Sequence, residues 1–140
     1  MARVISTKFA EKLLKSYRNN PITPWLKGRE ETKELEVVFK RRGFAYSIEI
    51  PKLGRRIYDI TNRIQAPKAY FGYVLLRLAK SYGLDGSGSL ILKDEEVISL
   101  ALKILRMRLN QKRKWKECVE LVRKFEQISF IRKVGEVVPS

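Results

Sequence analysis

Leu35-Glu36-Val37-Val38-Phe39-Lys40-Arg41-Arg42-Gly43-Phe44-Ala45-Tyr46-Ser47-Ile48-Glu49-Ile50 supports two incompatible readings, and the choice between them decides the fold. In one, a helix runs from Gly28 to Gly43. Glu30, Glu31, Glu34 and Glu36 lie towards its start, and Lys40-Arg41-Arg42 close it before a glycine cap. That order suits the helix dipole, which favours anions at the N-terminus and cations at the C-terminus. Leu35, Val38 and Phe39 then supply a narrow apolar stripe. In the other, Leu35–Phe39 and Phe44–Ile50 are the strands of a hairpin around Lys40-Arg41-Arg42-Gly43, and residues 44–50 alternate as a strand does. The charge order favours the helix, which leaves a short β segment at 44–50. The pattern alone does not close the choice between helix and hairpin for residues 34–50.

Periodicity is plainer on either side. Upstream, Ser6 or Thr7 caps a helix with Phe9, Leu13, Leu14 and Tyr17 on one side and Lys8, Lys12, Lys15 and Arg18 around the rest. Asn19-Asn20-Pro21 ends it, because the residue before a proline is pushed out of the helical region. Ile22-Thr23-Pro24-Trp25-Leu26 follows as an extended linker. Downstream, Ile57, Ile60 and Ile64 fall at helical spacing, with Arg56 and Arg63 together on another face. Pro67 opens a helix through Gly83 with a core stripe of Phe71, Val74, Leu75, Leu78 and Tyr82. Asp85-Gly86-Ser87-Gly88-Ser89 reads as a flexible linker, and it lacks the Gly-Lys-Ser/Thr of a phosphate loop. Asp94 caps a helix carrying Val97, Ile98, Ala101, Leu102, Leu105 and Leu109. After a polar turn at Gln111 to Lys114, a last helix carries Trp115, Cys118, Val119, Val122, Phe125 and Ile128. The expected fold is mainly α: a basic N-terminal helical arm, residues 1–66, and a C-terminal antiparallel helix bundle, residues 67–140.

The 140 residues suit one domain, and 44% apolar residues suffice for a core without disulfides. Thirty Lys and Arg stand against fifteen Asp and Glu, a formal net charge of +15. Solubility needs only about 2–8 units, so a polyanion is the first partner to weigh, with nucleic acid ahead of an anionic membrane. Residues 1–68 hold 16 Lys and Arg against 7 acids, and residues 69–140 hold 14 against 8. The N-terminal part therefore carries the larger excess with the poorer apolar pattern. Segments of that kind order against a phosphate backbone.

The chain has no histidine, which excludes Ser-His-Asp and Cys-His nucleophilic sites and His-containing zinc sites. Its single cysteine, Cys118, excludes an intramolecular disulfide and reads as a small buried hydrophobe. The carboxylates at Glu34/Glu36 and Asp94/Glu95/Glu96 sit where a helix dipole already accounts for them. No catalytic residue, metal site or cofactor is expected. No stretch approaches the ~20 apolar residues of a membrane span, and the N-terminus lacks the apolar run of a signal peptide. Three Gln, no His and abundant Lys, Arg, Glu, Val, Leu and Ile give a thermophile-like composition.

The candidate nucleic-acid contacts are Arg3, Lys8, Lys12, Lys15, Arg18, Lys27, Arg29, Lys40, Arg41, Arg42, Lys52, Arg55, Arg56 and Arg63. Tyr17, Trp25, Phe44, Tyr46 and Tyr58 interleave with them, and exposed rings on a basic surface stack on bases. Packing is the commoner use of such rings, and Tyr70, Phe71 and Tyr73 are expected in the core. A second cluster, Lys103, Arg106, Arg108, Lys112, Arg113, Lys114 and Lys116, straddles the last turn. There, helix-end compensation and polyanion binding are equally good accounts.

Three local or layout resemblances add to this. Arg55-Arg56-Ile57-Tyr58-Asp59-Ile60-Thr61-Asn62 resembles the recognition-helix motif of the cell-cycle winged-helix factors that pair with DP proteins. That resemblance implies guanine reading by Arg55 and Arg56. Leu84-Asp85-Gly86-Ser87-Gly88-Ser89 resembles the acidic end of the LAGLIDADG homing-endonuclease helix, but serine stands at 87 where that family's metal-binding acid would fall. The basic helix ending at Asn20-Pro21, the cationic arm and the helical C-terminal part together resemble the major coat proteins of archaeal rod-shaped and filamentous viruses. This layout implies a structural, non-enzymatic protein packaging double-stranded DNA in a virion or intracellular nucleoprotein. Its partners would be DNA, a second copy or a paralogous coat subunit, with RNA as the other nucleic acid. The alternatives are a sequence-specific regulator using Arg55 and Arg56, or a small RNA-binding subunit of a ribonucleoprotein complex.

Overall fold

A computed structural model describes residues 33–54, 57–59 and 66–140, with 57–59 described by backbone alone. The chain divides into two compact units, Met1–Lys33 and Glu34–Ser140. Every element below belongs to the second, which runs across the 66/67 boundary expected from the sequence. In chain order the elements are β1 (Leu35–Arg42), β2 (Ala45–Glu49), a 3-10 turn (Pro51–Leu53), β3 (Ile57–Asp59), α1 (Pro67–Ser81), β4 (Gly88–Leu92), α2 (Glu95–Arg106), α3 (Lys112–Ile131) and β5 (Gly135–Pro139). The five strands form one sheet in the order β3-β2-β1-β4-β5, with every pairing antiparallel.

The mainly α expectation is thereby overturned, and the fold is α+β. Residues 35–50 form the hairpin, not the end of a helix. Leu35, Val37 and Phe39 are fully buried while Glu36 and Lys40 are exposed, so the operative period is two. β2 continues the same inner face with Tyr46 and Ile48, followed by Ile50, and β4 adds Leu90 and Leu92. Register aligns them: Phe39 opposes Ile48 on one side, and Leu35 and Val37 oppose Leu92 and Leu90 on the other. A cut after residue 66 would remove β1, β2 and β3 and uncover Leu90 and Leu92.

Arg42 pairs with Ala45, so Gly43 and Phe44 form a two-residue loop. Gly43 has φ 63° and no residue other than glycine has positive φ among those described. Positive then negative φ is the sign pattern of a type II′ turn, which matches the right-handed twist of its strands and needs glycine first.

The linker expected at 85–89 gives way to β4 from Gly88 onward, because β5 approaches closely there. A Cβ on Gly88 would stand 2.6 Å from both Leu84 Cδ1 and the Val138 carbonyl oxygen, and one on Gly135 would collide with the Ile91 carbonyl. The Lys93 N–H donates to Val134 O (2.7 Å) and the Ser140 N–H donates to Ser87 O (3.2 Å). With the register between β4 and β5, this turns the backbone N–H and C=O groups of the even-numbered residues of β5 towards β4 and the backbone groups of Gly135, Val137 and Pro139 towards the open edge. Proline has no N–H to offer, so this edge is a poor template for another strand.

The three helices share one core with the inner face of the sheet. α1 begins with Pro67, as expected, and buries Phe71, Val74, Leu75 and Leu78. Phe71 meets Phe125 of α3 edge to face, with centroids 4.9 Å apart at 86°. Asp94 caps α2 as anticipated, its carboxylate accepting from the N–H groups of Glu96 (3.0 Å) and Val97 (3.2 Å). Lys68 donates to the Leu105 carbonyl at the end of α2 (3.0 Å), a cation placed on a helix C-terminus. Arg132 reaches Asp94 Oδ2 (3.3 Å) and Glu96 Oε2 (3.0 Å), tying the end of α3 to the start of α2. Cys118 is buried, and burial pushes its thiol pKa up. α3 begins at Lys112, before the expected Trp115, with no acid in its first turn and no side-chain cap from Gln111.

These features set stability. Phe125→Ala should cost about 3–5 kcal/mol, by loss of the buried ring and its contact with Phe71. Gly135→Ala should destabilise because the Ile91 backbone must move. Lys112→Glu should stabilise by about 0.3–1 kcal/mol, since it replaces a cation by an anion in the first turn of α3. Urea unfolding of the three variants checks all three signs.

Candidate functional site

Strand pairing concentrates charge at one end of the sheet. β1 is the central strand, and its last three residues are Lys40, Arg41 and Arg42. All three are exposed, and the adjoining turn carries Phe44 at 105% relative exposure, a bare phenyl ring in water. The turn needs glycine at 43 but places no apolar demand on 44. Phe44 therefore does nothing for the fold that a polar residue would not do.

Parity separates the cations. Arg41 shares the inner-face parity of Phe39 and is used structurally. Its backbone N–H donates to Ser87 Oγ (3.1 Å), its Nε to Gly43 O (3.1 Å) and its Nη1 to Asp85 O (3.4 Å). Tyr46 donates to the same Asp85 carbonyl (3.4 Å), and Lys80 Nζ lies 5.3 Å from the Tyr46 ring centroid. The loop at 85–87 is thus held against the hairpin, and the hairpin stem is braced.

Lys40 and Arg42 have the opposite parity and belong to the outer face, with Val38, Ser89 and Ser140. Among the described residues neither forms a salt bridge. Beside them an open groove of about 440 Å³ runs over the start of β4, lined by Val38, Lys40, Arg42, Ser87, Ser89 and Ser140 among others. Lys40 and Arg42, which have no carboxylate partner among the described residues, share this lining with Arg41 and with the hydroxyls of Ser87 and Ser89, a set suited to an anion that accepts hydrogen bonds, above all a phosphate.

Of the residues expected to contact nucleic acid, Lys40, Arg41 and Arg42 come together here. Lys52 lies in the 3-10 turn beyond the other end of β2 and does not join them. Arg3, Lys8, Lys12, Lys15, Arg18, Lys27, Arg29, Arg55, Arg56 and Arg63 lie outside the described residues. Within the motif read as a recognition helix, Ile57–Asp59 is the edge strand β3 and not a helical turn. Among the aromatics, Tyr46 is buried and packs, Phe44 is fully exposed, and Tyr17 and Trp25 are outside the described residues. Phe71 is in the core as expected, Tyr70 is half-buried, and Tyr73 is exposed.

Tyr70 donates to Glu126 Oε2 (3.0 Å), and burial, then that hydrogen bond, raises its phenol pKa. Sequence reasoning missed Ser87 and Ser89, which looked like linker, and Lys80, whose partner Tyr46 is 34 positions away.

The second basic cluster falls mostly at the start of α3, where Lys112, Arg113, Lys114 and Lys116 are exposed. Arg113 and Lys114 share Glu117 at 3.7 and 3.5 Å. The dipole opposes cations at this end, so helix-end compensation explains only Lys103 and Arg106, in the last turn of α2. No group of three or more His, Cys, Asp or Glu side chains among the described residues is placed to hold a metal ion. No described helix is long and apolar enough to cross a membrane. Set against family models, curated proteins and solved structures, the chain matches none of them.

Proposed function

We propose that this chain is a non-enzymatic nucleic-acid-binding protein, and that the end of the β1–β2 hairpin is one of its contact surfaces. The observation that carries this reading is the juxtaposition of Lys40, Arg42, the hydroxyl-lined groove and an exposed Phe44 at the tip of a braced hairpin. Cations neutralise phosphates, and hydroxyls donate to phosphate oxygens. The net charge of +15 adds a long-range attraction to polyanions. A DNA-packaging subunit is the narrower version of the same reading, with the basic N-terminal segment supplying further phosphate contacts. One subunit could then neutralise at most ~7 base pairs, and binding would be dense, without preferred sites.

The test is the salt dependence of binding. Each phosphate contact contributes about 0.9 to the slope of log affinity against log salt on B-form DNA. The Lys40→Glu/Arg42→Glu double variant should bind all sequences more weakly, with a slope shallower by about 2. Lys52→Glu, beyond the other end of β2, should leave the slope unchanged. Unchanged binding by the double variant would remove the hairpin from the interface, and a preferred sequence emerging from a random library would overturn the packaging version.

A further inference from the structure

Lys40 and Arg42 account for attraction to phosphates, but they leave Phe44 unexplained. A phenyl ring at the tip of a two-residue turn has no core to join, and the turn does not require it. The backbone of the turn that carries it is held nonetheless. The hairpin stem is held by the Arg42–Ala45 pair, and Arg41 is tied to Gly43, Asp85 and Ser87. An exposed apolar ring two residues along the chain from Arg42, which lines a groove suited to a phosphate, is placed to meet the two parts of one nucleotide, its base and its backbone.

We propose, on the basis of the nucleic-acid reading above, that Phe44 is a base-stacking residue for an already unstacked base. The adjacent phosphate lies in the groove of Lys40, Arg42, Ser87 and Ser89. Magnitudes decide between an unstacked base and an intact duplex. Stacking one base on an aromatic side chain is worth about 5- to 150-fold in affinity, or ~1–3 kcal/mol. Opening a stacked duplex step costs about as much, so a single ring gains little from an uninterrupted helix. Where the base is already free, in a bulge, a mismatch or a single strand, the whole gain remains. Phe44 therefore adds affinity where a base is already free, while Lys40 and Arg42 serve every nucleic acid, the intact duplex included, alike.

The experiment compares the full chain with Phe44→Ala and Phe44→Trp. Fluorescence anisotropy titrations use three DNA probes of equal length: an uninterrupted duplex, a duplex with a one-base bulge, and a single strand. The bulged base is 2-aminopurine in a parallel set. Phe44→Ala should fold as the parent does, because no described contact depends on the ring. It should bind the bulged and single-stranded probes at least fivefold more weakly and the uninterrupted duplex within twofold of the parent. Phe44→Trp should restore binding, and the parent alone of the first two proteins should change the 2-aminopurine emission. Equal binding of all three probes by parent and Phe44→Ala would overturn the stacking role while leaving nucleic-acid binding intact. Failure of the parent to bind any probe would instead overturn the function on which the inference rests.

Discussion

β1 hydrogen-bonds on both sides, to β2 and to β4, and the rest of the structure depends on that double pairing. A central strand must satisfy its backbone on two flanks while presenting one face to the core. Leu35, Val37 and Phe39 meet the second requirement, and their register against Ile48, Leu90 and Leu92 fixes which residues of three strands face the helices. A slip of one residue would put Glu36 and Lys40 into the core, so the alternation locks the register. The same parity sends Lys40 and Arg42 to the solvent side. Core and candidate site are therefore two consequences of one strand alignment.

The hairpin end combines rigidity with unused chemistry. Arg41, Tyr46 and Asp85 carry out the structural work there, through hydrogen bonds that fasten the 85–87 loop to the hairpin. Lys40, Arg42 and Phe44 are left with no described partner, although each would find some compensation in an ordinary surface arrangement. Like charges at neighbouring positions repel, and an exposed ring loses the free energy of burial. Contact with a phosphate and a base, as proposed, would offset both. The cations at the start of α3 pose the same question more weakly, since a carboxylate at Glu117 already answers two of them.

Much of the helical structure was legible from the residues. Phe71, Val74, Leu75 and Leu78 recur at helical spacing and do line the core, and Asp94 caps the helix it precedes. Cys118 is the buried small hydrophobe it was expected to be. The hairpin was visible only as one of two readings. The run of acids before Leu35 and cations before Gly43 imitates the charge order of a helix, and that order outweighed the alternation of Leu35, Val37 and Phe39. Continuation of the alternation through Ala45 to Ile50, with glycine between, was the signal that favoured the strands.

The sequence by itself determined what is local. Helix stripes, the Asp94 cap, the proline at the start of α1, the charge excess and the absence of histidine all follow from residues and their near neighbours. Tertiary structure decided what is not local, because a strand's hydrogen-bond partners lie far along the chain. Gly88-Ser89 resembles a linker until Phe39 and Pro139 are found on either side of Gly88, and β5 is too short to announce itself. The grouping of Lys40, Arg42, Ser87 and Ser89 around one groove likewise exists only after β1 has paired with β4. No spacing in the sequence brings residue 40 to residue 87; the antiparallel register does, by aligning two strands whose inner faces must both be dry.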